Sequence, residues 1–490
     1  MAVWLLIALG LALVAAGLSA ALGDRGASGW ITATAAAGAF AAVLVAVFAY
    51  NAARGREVLG GAFYVDGLSG VFLIAVGFVY AVVAVYSVGY LHPQIGHIRL
   101  RRVYWPLLNL FGLALLATPM VANLGVLWVA VELTTVVSAL LVTSEGSDSS
   151  LEAGWKYIVI GSAGLAVGLL GIVLIYAAGV PTLGDHYSPT YLVLSTAAPH
   201  MTGSLVRVGF AFALIGFGTK VGLVPMHAWL PDAHSEGPSP ISAMLSGALL
   251  AAGLYAVLRI GAVAQITVGA SYVHVLLLIF GGLSLLLAAF FALRQRNYKR
   301  LLAYSSIEHM GIVSLGIGIG GPIAAYGAFF HVLVHAAGKT LAFFGAGELL
   351  SRYESRDANE VRGVLSLAPF AGAMVLLGAL AISGVPPFGI FRSELLIVTG
   401  GFSRSSFALA GLLVVLANIA FVGLYQTFHR MVMSGRREGS VSGRLGRRQQ
   451  PLMAAAMVAS LAVVLVLGVW IPGPLNTLLH SAVGVIGGRL

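Results

Sequence analysis

The sequence predicts an all-α polytopic membrane protein of about fourteen transmembrane helices, with two inverted five-helix repeats and discontinuous helices at the seventh and twelfth positions. Three observations predict it. Only 9% of the 490 residues are charged and 59% are hydrophobic, whereas soluble domains carry about 25% charged residues. Apolar runs of about 20 residues, the length that crosses a bilayer, recur along the whole chain. Two of those runs are broken by proline at matching places.

The runs divide the chain into four parts. Residues 1–104 hold three spans, near 3–22, 30–50 and 66–90. The first, "MAVWLLIALGLALVAAGLSAALG", lacks the basic start of a signal peptide and reads as a true span. Residues 105–261 hold spans four to eight, near 105–121, 123–143, 155–179, 205–230 and 238–259. Residues 262–433 hold spans nine to thirteen, near 272–293, 301–319, 322–350, 365–402 and 405–430. Residues 434–490 hold a basic segment and a last span near 452–472. The runs show no barrel-like alternation, so helices must satisfy the backbone in lipid.

Span seven breaks at "KVGLVP" and span twelve at "ISGVPPFG". Proline removes an intrahelical donor, and the freed backbone is tolerated at membrane depth only where it lines protein or a wet cavity. The breaks lie five spans apart. A repeat of five spans must be inverted in the membrane, and paired broken helices point to a transport site.

Net charge is +10. No basic stripe interleaved with aromatics accompanies it, so nucleic acid is not the expected partner. The basic residues favour loops after odd-numbered spans: "RLRR" at 99–102, "RQRNYKR" at 294–300, Arg352, Arg356, Arg362 and the "SGRREGSVSGRLGRRQQ" segment. Loops after even-numbered spans hold little beyond Arg54, Arg56, Arg259 and Arg404. The positive-inside rule then puts both termini outside a prokaryotic cytoplasmic membrane. The chain has no cysteine, so it has no thiolate for an iron–sulfur or nickel–iron centre. Redox chemistry associated with it belongs to other subunits, and no cofactor is expected here.

A few charges fall inside spans: Glu132, Lys220, Glu308, Lys339 and Glu394. Each costs at least about 2.5–3.5 kcal/mol at mid-membrane on insertion scales, and such residues mark ion or proton paths. Glu308 lies near a span end and reads as accessory, while Glu348 and Arg392 read as interfacial. His331, His335 and Lys339 repeat every four residues and so line one helical face, as a proton ladder would. "HVLVH" lacks the glutamate of a metalloprotease HExxH pattern and no third ligand is evident nearby, so no metal is expected. The "MHAWLPDAHSEG" stretch after Lys220 adds His227 and His234 to the candidates. No phosphate loop, dinucleotide fingerprint or nucleophile elbow is present. Short matches such as "GIGIGG" lie within a span and read as packing glycines.

These residues carry a resemblance. The stretches "KVGLVPMHAWLPDAHSEGPSPISAMLSGALL", "NYKRLLAYSSIEHMGIV", "FHVLVHAAGKTLAFFGAGEL" and "SGVPPFGIFRSELLIV" resemble the antiporter-like membrane subunits shared by respiratory complex I, Mrp-type cation/proton antiporters and membrane-bound nickel–iron hydrogenases. The resemblance covers roughly residues 60–430. Within the family, "VELTTVVSALLVTSEGSDSSLEAGWKYIVIGSAGLAVGLLGIVLIYAA" looks most like hydrogenase-4 component F, a membrane subunit of formate-hydrogenlyase-type complexes.

The resemblance implies a proton-translocating, non-catalytic subunit of a multi-subunit redox complex, with an Mrp-type antiporter subunit as the alternative. It implies partners too: other membrane subunits, soluble subunits with nickel–iron or iron–sulfur centres, and lipids. By position, Glu132 matches the family's glutamate on span five and Lys220 its ion-pair lysine. Lys339 matches the central lysine of span eleven, and Glu394 the site in broken span twelve. One departure is visible. Relatives carry a protonatable residue on span eight, where this chain has Ser246 and Ala251. The link between half-channels is then expected to run through water, His227 or His234, or else to be weak. The long lateral helix of the largest complex I relative is not expected here.

Overall fold

The computed structural model describes residues 1–23, 25–91, 101–435 and 450–487. Parts of the basic stretches used for the orientation argument, 92–100 and 436–449, lie outside the described residues. The chain begins with α1 (Ala2–Leu22) and α2 (Gly26–Leu44). A short antiparallel pair follows, β1 (Arg56–Val58) and β2 (Phe63–Val65), with Arg56 opposite Val65. Asp66 then caps α3 (Gly67–Tyr90), accepting the Ser69 amide at 2.9 Å.

Helices α4 (Arg101–Ala117), α5 (Leu124–Val142), α6 (Asp148–Leu183), α7 (Tyr191–Ala197) and α8 (Gly203–Val221) follow. Next come α9 (Trp229–Glu236), α10 (Ser239–Met244) and, after a π-helical turn over Leu245–Leu249, α11 (Leu250–Val268). The second half holds α12 (Ala270–Ala292), α13 (Tyr298–Ile319), α14 (Pro322–Tyr353) and the short α15 (Val364–Leu367). It continues with α16 (Pro369–Ile382), α17 (Gly389–Ser403) and α18 (Phe407–Met433). Helices α19 (Pro451–Val469) and α20 (Gly473–Val485) complete the described fold.

Twelve helical stretches among the described residues are long and apolar enough to cross a membrane, and Arg102–Ala117 and Pro369–Ile382 are shorter apolar helices. Both expected interruptions are present. α8 ends at Val221 and helix resumes at Trp229; α16 ends at Ile382 and helix resumes at Gly389. Each break opens on a glycine with positive φ, 77° at Gly222 and 66° at Gly384, a conformation that other residues adopt only with strain.

Burial sorts the helices. The stretch Ser239–Val268, α13 and α14 are enclosed by protein along their whole apolar lengths, while α1, α6, α18 and α19 turn much of their apolar surface outward. The outward residues are of the kind lipid or a membrane partner covers, such as Val3, Trp155 and Val415. α6 and α8 touch along a glycine seam. A Cβ at Gly171 would lie 2.5 Å from Ala213 N, and one at Gly209 would lie 2.9 Å from Gly171 O. A Cβ at Gly216 would collide with Gly168. Small residues let helix backbones meet this closely in lipid, where packing replaces the hydrophobic drive.

One sequence expectation is corrected here. Arg259 is not a loop residue: α11 runs on to Val268, and Arg259 is 2% exposed. It holds Asp66 through two bonds of 2.6 and 2.7 Å, and its guanidinium lies 4.4 Å from the Tyr191 ring centre. The bidentate fork clamps α11 to the start of α3.

Candidate functional site

The break in span seven leaves Lys220 in the last turn of α8 and fully buried. Two features make that position tolerable. The C-terminal carbonyls of a helix carry roughly half a negative charge. The ammonium also lies 4.4 Å from the centre of the Tyr157 ring, a cation–π contact worth about 2 kcal/mol or more when desolvated.

Lys220 donates to the Tyr157 hydroxyl at 3.3 Å. Tyr157 sits 2.8 Å from Ser138, whose own proton goes to the Thr134 carbonyl at 2.6 Å, so Tyr157 is the donor to Ser138. The direct Lys220–Glu132 ion pair implied by the family resemblance is not formed. Glu132 is partly exposed and accepts from Ser162 at 2.7 Å and from Thr135 at 3.4 Å. Gly161 makes room for the ammonium between α6 and α5: a Cβ there would lie 2.9 Å from Lys220 Nζ and 3.1 Å from Thr135 Cγ2. Sequence spacing could not have shown that a tyrosine from α6 would intervene.

From Lys220 an aromatic column leads to the second half of the chain. Tyr157 stacks on Trp229 at 4.3 Å, Trp229 faces His234 at 6.5 Å, and His234 faces Phe343 at 5.3 Å. Trp229 is pinned by donating to the Thr219 carbonyl at 2.7 Å. His234 is fully buried, and neither ring nitrogen has a hydrogen-bond partner. His227 does not join the column. It stays in the break, half-buried, with Nδ1 lacking a hydrogen-bond partner.

Phe343 lies one helical turn beyond Lys339 on α14. Lys339 is fully buried and donates to Ser305 and, at 3.1 Å, to the Leu302 carbonyl of α13. Ser306 donates to that same carbonyl at 3.1 Å and accepts from Ser246 at 2.8 Å. Ser246 lies in the π-helical turn of Leu245–Leu249, a distortion frequent at functional sites. Span eight therefore reaches the Lys339 region through hydroxyls, although Ala251 offers no polar group.

Beyond Lys339 the expected ladder becomes a cluster of three imidazoles. His331 and His335 lie on α14 as the spacing predicts, with ring centres 6.4 Å apart. His309 of α13, which the sequence reading passed over, comes within 3.0 Å of His331 through Nδ1 and Nε2. Its ring centre is 5.1 Å from that of His335. His309 lies one turn after Ser305 on the face that meets α14, and that spacing was the available signal.

Glu308, expected near a span end, sits mid-way along α13 at 4% exposure, with Oε2 unpartnered. Glu348, near the C-terminal end of α14, forms a buried pair with Arg352 at 3.1 Å. Arg392 reaches the Val469 carbonyl at 3.3 Å. Glu394 packs against Gly384 in the second break and lines a cavity of about 150 Å³ with Ser383 and Asn418. Its carboxylate, His309 and His331 each bring a donor atom within 4.8 Å of the others. The donors not evident around His331 in the sequence thus come from neighbouring helices, His309 from α13 and Glu394 from α17.

The sequence profile described as NADH:quinone oxidoreductase/Mrp antiporter, TM, matches residues 121–420. The chain belongs to this family. A second profile, described as the N-terminus of complex I chain 5, matches residues 59–99 of this antiporter-like subunit. It is 39% identical to a hydrogenase-4 component F homolog of Methylacidiphilum infernorum over 359 residues, covering 71% of this chain and 75% of that one. It is 28% identical to NADH-quinone oxidoreductase subunit N of Moorella thermoacetica, over 97% of this chain and 96% of that one. Against Escherichia coli hydrogenase-4 component B the identity is 29%, over 68% of this chain and 49% of the longer relative.

Among solved structures, a chain of the archaeal membrane-bound sulfane sulfur reductase superposes with a TM-score of 0.86 at 25% identity, covering 99% and 98% of the two chains. A chain of the Mrp complex from Dietzia sp. also gives 0.86, at 20% identity over 99% and 98%, and so shares the fold.

Proposed function

We propose that this antiporter-like subunit moves protons across the cytoplasmic membrane of a prokaryote as part of a hydrogenase-4- or complex I-like assembly. One observation carries the reading: Lys220, His234, Lys339 and the histidine cluster follow one another through the enclosed centre of the protein, and Glu394 stands half-buried beside the second break. Buried ionisable groups at membrane depth are retained for such work.

In this reading Lys220 and Lys339 hold protons in turn, with His234 between them. Glu132 takes the Lys220 ammonium when the tyrosine bond is released, and Glu394 meets water through its cavity. His227, His331 and His335 extend the two ends, and Glu308 is accessory. Two inverted units over 105–261 and 262–433 account for the paired breaks. Both termini lie outside, following the bias of basic loop residues.

The relatives named above support a redox partner, and the lack of cysteine in this chain assigns electron carriers to other subunits, with nickel–iron or iron–sulfur centres. Purification of the native complex with subunit identification, followed by proton uptake into vesicles on adding the electron donor, tests this. Redox subunits together with uptake support it. A complex holding only small antiporter subunits supports the Mrp-type alternative, and redox turnover without uptake overturns proton transport.

A further inference from the structure

We propose that His309, His331 and Glu394 form a binding site for a divalent transition metal of the zinc class, held between α13, α14 and α17. The three donors converge within 4.8 Å of one another. Tetrahedral zinc with bonds of about 2.0–2.1 Å places its ligand atoms about 3.3 Å apart. His309 Nδ1 and His331 Nε2 stand at 3.0 Å, so a small opening of the two rings admits an ion between them.

The supporting shell is present. Ser393 spends its own proton on the Ile390 carbonyl at 2.7 Å, so its oxygen accepts from His331 Nδ1 at 2.9 Å. That leaves the Nε2 lone pair of His331 facing the site, the arrangement that orients metal-binding histidines elsewhere. His335 stands beside this group, its ring centre 5.1 Å from that of His309 and both ring nitrogens without hydrogen-bond partners. The cavity of about 150 Å³ that Glu394 lines gives the carboxylate access from outside the helix bundle.

The donor set selects the ion. Two imidazoles and a carboxylate suit zinc, and calcium or magnesium would demand more oxygens. Sodium, a hard cation without affinity for imidazole, is excluded on the same ground. Binding needs neutral imidazoles and an ionised carboxylate, so metal and protons compete for the same atoms. The site itself requires no transport, and it stands or falls separately from the proposed function.

The test titrates the untagged full-length chain, in lipid nanodiscs and without a gradient, with Co²⁺ as a coloured stand-in, then displaces it with Zn²⁺. One equivalent with the visible absorption of tetrahedral cobalt is expected, lost in His331→Gln and Glu394→Gln. Ser393→Ala, the mildest change, should weaken binding by about 10–100-fold. His200→Gln and His429→Gln at the surface should leave binding unaltered. Monodispersity and retained helical signal verify that each variant is folded. No saturable cobalt spectrum in the wild type overturns the proposal. So does a spectrum that survives His331→Gln and Glu394→Gln, or one that disappears with a surface histidine.

Discussion

Lys220 gives its hydrogen bond to Tyr157, 3.3 Å away on α6, and not to the Glu132 carboxylate. A hydrogen bond to a charged group contributes about 1.5–3 kcal/mol, so the tyrosine holds the lysine in a defined resting state. Tyr157→Phe keeps the ring beneath the ammonium and removes only the hydroxyl. Proton uptake by the reconstituted complex should then change by about one to two orders of magnitude in rate, at 1.4 kcal/mol per decade. Lys220→Met should abolish uptake with the complex still assembled. Unchanged uptake in Lys220→Met would remove this residue from the path.

His234 is the imidazole between the two lysine sites. His234→Phe preserves a flat ring between Trp229 and Phe343 and deletes the titratable nitrogens. The variant should assemble and melt within a few degrees of the parent, yet lose most proton uptake. Full uptake would assign the crossing to the Ser246–Ser306 hydroxyls, and Ser306→Ala would then be the variant that stops it.

The Asp66–Arg259 clasp has a structural role. Asp66→Ala leaves a guanidinium buried without its carboxylate, and breaking a buried pair on one side costs about 3–5 kcal/mol. A markedly lower melting temperature in detergent is expected. The double change Asp66→Leu with Arg259→Met should recover much of the loss, because an apolar pair leaves no charge behind. Equal destabilisation by the single and double variants would contradict this account.

Gly216→Ala tests the seam between α6 and α8. The added methyl collides with the Gly168 backbone, which no side-chain rotation relieves. Overpacking of this kind costs about 1–3 kcal/mol. Gly411→Ala, where a Cβ meets nothing within 4 Å, is the matched control. Thermal unfolding of the two, measured side by side, should differ by that amount.

Much of the fold could be read from the chain alone because lipid enforces simple rules. Spans must be apolar, and buried charges must be few. The breaks at "KVGLVP" and "ISGVPPFG" fell where proline and glycine said they would. His331, His335 and Lys339 share a face because helical spacing is local. What escaped was tertiary. Arg259 resembled a span end because its partner, Asp66, lies 193 residues away. His309 was overlooked beside Glu308, since a charge in an apolar run draws notice and a neutral imidazole does not. The rival partner of Lys220 is a tyrosine, a residue whose composition signal is indistinguishable from ordinary packing.

The glycine seam determines which part of the first site is free to act. With α6 and α8 locked backbone against backbone at Gly168 and Gly216, these two rods cannot slide to part Lys220 from Tyr157, while Glu132 is presented from a third helix, α5. In the proposed transfer the travelling element is then the lysine's own methylene stem, swinging past Gly161 like a latch. The throw of that latch, from phenol to carboxylate, is then set by side-chain length, whatever the size of the assembly around it.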